Sequence, residues 1–73
     1  MNLFAESVIA GDFRGWRSEN IYALENGQKW QQVRDEDMLT HLYRPRVKVW
    51  WNGARYFLEV EGMNEMIEVR PVG

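Results

Sequence analysis

This chain predicts an all-β fold, a small five-stranded SH3-like barrel, on three observations. Asn-Gly occurs twice, at Asn26-Gly27 and Asn52-Gly53, each between runs rich in aromatic and β-branched residues. The pair supplies the positive φ angles of a two-residue hairpin turn and is the strongest short-range hairpin signal a sequence offers. No stretch sustains a helical repeat of apolar residues. Finally, the 73 residues include four Trp, three Tyr and three Phe. A chain this short buries only about 60% of its unfolded surface, so large side chains must do much of the filling. Without cysteine, stability must come from packing, sheet closure or self-association. There is room for one domain, residues 1–73.

Taken in order, residues 7–13 read as a first strand with a bend or bulge at Gly11. Residues 14–18 form a loop carrying Trp16. Residues 20–25 and 28–34 make the first hairpin, and Asp35-Glu36-Asp37 breaks the sheet with like charges. Residues 41–51 and 54–61 make the second hairpin. Gly62-Met63-Asn64-Glu65 suits a tight connection to a last strand, 66–70, stopped by Pro71. With Asn52-Gly53 as a two-residue turn, Trp50 faces Arg55, Lys48 faces Phe57, Arg46 faces Glu59 and Arg44 faces Glu61. Val47, Val49 and Trp51 then share the core face with Leu58, Tyr56 and Ala54. The same rule in the first hairpin puts Tyr22, Leu24 and Val33 inward and leaves Trp30 on a partly wet face beside Gln28 and Gln32.

Several blocks resemble a family of small bacterial β-rich domains of unknown function. They are Gly11-Asp12-Phe13-Arg14-Gly15-Trp16, Tyr22-Ala23-Leu24-Glu25-Asn26-Gly27-Gln28-Lys29-Trp30-Gln31-Gln32, Tyr43-Arg44-Pro45-Arg46-Val47 and Val60-Glu61-Gly62. They are similar to a pattern GxFxGW, NGQxWQQ, YxPxV and VEG. The resemblance implies a bacterial source and a compact β-rich domain, and it implies no activity. Lys29 departs from the pattern, standing where an apolar residue is expected.

The inventory argues against an enzyme. There is one His and no Cys, and Ser7, Ser18 and Thr40 lie in no nucleophile motif. Consecutive acids at 35–37 point in different directions and lack the Gly and Glu of a calcium loop. His41 has no second His or Cys to share a metal. No phosphate-cradling glycine pattern precedes a helix, so no cofactor is expected. No apolar run approaches the roughly 20 residues of a membrane span, and the N-terminal residues lack the basic and apolar regions of a signal peptide. A soluble cytoplasmic protein is the expectation.

Nine basic and eleven acidic residues give a net charge of −2, whereas dedicated nucleic-acid domains are usually basic. Two surfaces nevertheless invite a binding role. The first is the row Arg44, Arg46, Lys48, Trp50, Arg55 and Phe57, in which cations interleave with rings as in proteins that hold single-stranded RNA or DNA. Its alternative is a solvated face with arginines neutralised by Glu59 and Glu61. The second is the set Trp16, Trp30 and Trp50, suited to a protein partner or a homo-oligomer. Its alternative is that Trp16 folds back over an open barrel end and Trp30 covers Ile21 and Ala23. The expected function is a non-enzymatic interaction module working through an aromatic surface, with single-stranded nucleic-acid binding as the alternative.

Overall fold

The computed structural model describes residues 1–73 and contains eight β-strands and no helix. They are β1 (Asn2–Val8), β2 (Asp12–Trp16), β3 (Ile21–Ala23), β4 (Lys29–Gln32), β5 (Met38–Tyr43), β6 (Arg46–Trp51), β7 (Tyr56–Val60) and β8 (Ile67–Val72). Six form one antiparallel sheet in the order β1-β6-β7-β8-β4-β3, and β2 pairs with β5 in a separate ribbon. The all-β class and both Asn-Gly hairpins are present. The count of five strands is corrected to eight in two sheets. The outer strands β1 and β3 meet through a single antiparallel bridge, Ile9 opposite Leu24. The sheet therefore curls until its edges touch without closing into a barrel.

Two of the six runs expected above divide, which brings the count to eight. At Gly11, with φ +86°, the first run splits into β1 and β2, and β1 begins five residues earlier than expected. Trp16 ends β2 instead of lying in a loop. The long run to Trp51 splits at Arg44-Pro45. Arg44 has φ +48°, a left-handed conformation, and Pro45 brings no N–H, so the chain leaves one sheet and enters the other. Conversely, β8 runs through Pro71. Val33 N–H donates to the Glu68 carbonyl, so by alternation Pro71 turns its nitrogen away from β4, toward β7. There β7 begins only at Tyr56, and no ladder bond is lost.

The first hairpin differs from the two-residue expectation by one position. Tyr22 pairs with Trp30 and Ala23 with Lys29, and Leu24 N–H donates to the Gln28 carbonyl. The connection is thus the three-residue loop Glu25-Asn26-Gly27, with Gly27 at φ +92°. A one-residue shift exchanges the faces of the second strand. Trp30 and Gln32 turn inward beside Tyr22 and Leu24, Lys29 turns out, and Val33 is 49% exposed instead of core. The same shift places Lys29 at an outward, exposed position.

In the second hairpin the shift is two positions, and the faces survive. Trp51 pairs with Tyr56, Trp50 with Phe57, Val49 with Leu58 and Lys48 with Glu59. Gly53 and Ala54 occupy the turn, and the Asn52 carboxamide oxygen accepts from the N–H groups of Ala54 and Arg55. Twelve apolar residues form the core, among them Phe13, Trp16, Tyr22, Trp30, Val49, Leu58 and Ile67.

Candidate functional site

Six strands bring their ends to one place. β1, β7 and β4 begin there, while β6, β8 and β3 end there. The register of β1 against β6 slips between Leu3 and Ala5, which makes Phe4 the extra residue of a bulge. Freed from the ladder, the Phe4 ring meets Trp30 edge-on at 5.9 Å and Tyr56 edge-on at 5.1 Å. Tyr56 also lies 5.0 Å from Trp30 and stacks on Trp51 at 6.3 Å. Trp30 is the buried floor, and its indole N–H donates to Gln28 Oε1 at 3.2 Å. The rings above it reach solvent, Phe4 at 49% and Trp51 at 37% exposure. Beside them a depression of about 390 Å³ is lined by Phe4, Gln28, Lys29, Trp30, Tyr56 and Pro71. Its chemistry is that of a shallow aromatic groove with one amide and one ammonium at the rim.

Away from this end, the β2–β5 ribbon packs over the sheet. Gln32, 2% exposed, joins the two layers. Its Oε1 accepts from the Tyr22 hydroxyl at 2.6 Å and the Arg17 N–H at 3.0 Å, while its Nε2 donates to the carbonyls of Arg34 and Glu36 at 2.8 Å each. Burial raises the Tyr22 phenol above its ordinary range, against a smaller opposite pull from the Arg17 N–H.

The expected binding residues divide. Trp16 and Trp30, each 2% exposed, are core side chains and are removed from the candidate surface. Trp16 meets Phe13 and Tyr22 at 5.3 and 5.7 Å. Trp50 and Phe57 are half-buried partners on the outer face of β6 and β7. The Trp50 indole donates to Glu59 Oε1 at 2.8 Å, and Lys48 Nζ lies 6.0 Å from the same ring. Arg46 and Lys48 flank an open depression that Glu6, Glu59 and Glu61 also line. Arg55 lies 3.9 Å from Glu68, which Arg34 also approaches at 3.4 Å. Arg44 is drawn elsewhere, to a bidentate pair with Glu25 at 2.6 and 2.9 Å. That guanidinium holds the Glu25 carboxyl below its ordinary range. The four expected cross-strand pairs are replaced: Trp50 faces Phe57, Lys48 faces Glu59, and Arg46 bonds through its carbonyl to Glu61 N–H.

Phe4 and Pro71 escaped the sequence reading, and Trp51 and Tyr56 were assigned to the core. Residues 2–8 hold no clean alternation of apolar and polar side chains, so the start of β1 carries no period-two signal. The bulge that turns Phe4 over the groove has no signature in residue types. Compared with protein-family models, with curated proteins and with solved structures, the chain matches none.

Proposed function

We propose that this protein is a non-enzymatic interaction module that takes an extended, apolar or proline-rich segment of a protein partner into the groove at Phe4, Tyr56 and Trp51. The supporting observation is that two exposed rings, Phe4 and Trp51, flank the half-buried Tyr56 over a buried indole floor, next to a depression of about 390 Å³. Large apolar rings gathered at a surface are costly in water and are the usual anchors of protein interfaces. A polyproline segment is already extended and loses little freedom when it docks between such rings. On this reading the curled sheet is an SH3-like scaffold whose ribbon covers one end and whose other end receives the ligand. The resemblance to the small bacterial family, and with it a bacterial, cytoplasmic setting, belongs to the same proposal and rests on the motif residues.

A peptide-display selection against the immobilised protein tests it, followed by titration of the winners using tryptophan fluorescence. Phe4→Ala and Tyr56→Ala should each weaken binding about tenfold or more while the chain stays folded. Failure to select any peptide, or peptides indifferent to both changes, would remove the proposal. Single-stranded nucleic acid at Arg46, Lys48 and Trp50 is the second reading, supported by the cations beside a half-exposed indole. Three carboxylates share that depression and oppose phosphate. Low-salt anisotropy with RNA and single-stranded DNA, repeated on Lys48→Glu, separates the two.

A further inference from the structure

β5 has one neighbour, β2, and its other edge is open. Arg44 N–H donates to the Gly11 carbonyl, and a Cβ built on Gly15 would land on the Met38 carbonyl oxygen, with Thr40 N at 3.1 Å. Met38, Thr40 and Arg44 thus turn their backbone groups toward β2. Between Leu42 and Leu39 β5 carries one residue more than β2, so alternation is read on each side of that bulge: Leu39 on one side and Tyr43 on the other turn theirs outward, to the open edge. Their side chains are outward as well. Leu39 is 90% exposed and Tyr43 72% exposed, on a strand with no Lys, Pro, Asp or Glu to guard it. Protected edges in natural sheets carry such guards, are short or are bent by a bulge; β5 has six residues, no guarding side chain, and one bulge opposite Arg14.

We propose that β5 pairs antiparallel with β5 of a second copy of this chain, joining the two ribbons into one continuous four-stranded sheet about a twofold axis at His41. Two features select a second copy as the occupant. The outward groups are self-complementary: with His41 opposite His41 of the second copy, Leu39 falls opposite Tyr43 in both directions. Each such pair exchanges two backbone hydrogen bonds. The side chains match too, since the most exposed aliphatic residue covers an exposed phenol. An interface this small gives a weak, concentration-dependent dimer.

Sedimentation equilibrium across a dilution series tests the pairing. The expected result is a monomer–dimer equilibrium that Leu39→Lys shifts toward monomer by about tenfold or more, with the circular dichroism unchanged. Tyr43→Lys should act in the same direction. A monomer up to about 1 mM would overturn the proposal. So would a dimer untouched by either lysine substitution, which would place the contact on another surface. The inference stands apart from the aromatic groove: Phe4→Ala should leave the dimerisation unchanged.

Discussion

Gln32 shows how one side chain can hold two layers together. Its carboxamide is surrounded by two donors and two carbonyls, and no buried side-chain polar atom in the protein is left without a partner. Gln32→Ala takes from the Tyr22 hydroxyl its 2.6 Å acceptor, leaving it the 3.3 Å contact to the Gly15 carbonyl, and removes the donor that the Arg34 and Glu36 carbonyls share; stability should fall by about 1–3 kcal/mol. Urea unfolding measures it. Tyr22 adds a pH dependence whose sign is fixed by burial. The neutral phenol is favoured in the folded chain, so its ionisation lies above that of the unfolded chain. The associated stability is intact below about pH 10 and declines as the pH rises beyond it, because the unfolded chain ionises first. Unfolding midpoints between neutral pH and the alkaline limit should fall less steeply in Tyr22→Phe. Gly15 is constrained differently: it has φ +100° and lies against the backbone of β5. Gly15→Ala should part β2 from β5 and destabilise by more than about 3 kcal/mol, since backbone cannot yield as a side-chain tip can.

Among the elements, the two hairpins teach opposite lessons about register. In the second, the turn moved by one residue and the pairing by two because the Asn52 side chain caps the N–H groups beyond Gly53, and the alternation of β6 and β7 was untouched. Val47, Val49 and Leu58 are therefore buried as the pattern required. Leu58→Ala should cost about 2–5 kcal/mol. Trp50→Ala, on the outer face, should cost within about 1 kcal/mol. Thermal denaturation of the pair distinguishes the faces. In the first hairpin one added loop residue reversed β4, and with it the fates of Trp30, Gln32 and Val33. Asn-Gly is compatible with both loop lengths. The competition was decided by what the faces could bury: an indole and a fully bonded amide against a lysine stem and a valine.

For the whole molecule, the division of aromatic rings between core and surface follows from how a thin sheet must be filled. Phe13, Trp16 and Tyr22 pack as one cluster under the ribbon, and Trp30 fills the other end. Tyr56 and Phe4 then cover Trp30 and are themselves left partly in solvent, because no strand lies beyond them. The groove is thus a consequence of the ribbon sitting at one end alone. Phe4→Ala should uncover Trp30 and shift its fluorescence to longer wavelength, with a stability loss smaller than that of Leu58→Ala, because half of the Phe4 ring already meets water. Emission spectra and thermal midpoints report both.

The sequence by itself determined the β class, the positions of both hairpins and the inward faces of β6 and β7, since these depend on turn residues and a period of two. It also placed Tyr22 and Leu24 in the core. Tertiary structure decided which way β4 faces, where the run to Trp51 breaks into two sheets, and which aromatic rings reach water. Those outcomes rest on contacts between residues far apart in the chain, such as Gln32 with Arg17 and Phe4 with Tyr56, that no local pattern encodes. The physical reason is that a strand's two faces are locally equivalent until a neighbouring layer covers one of them.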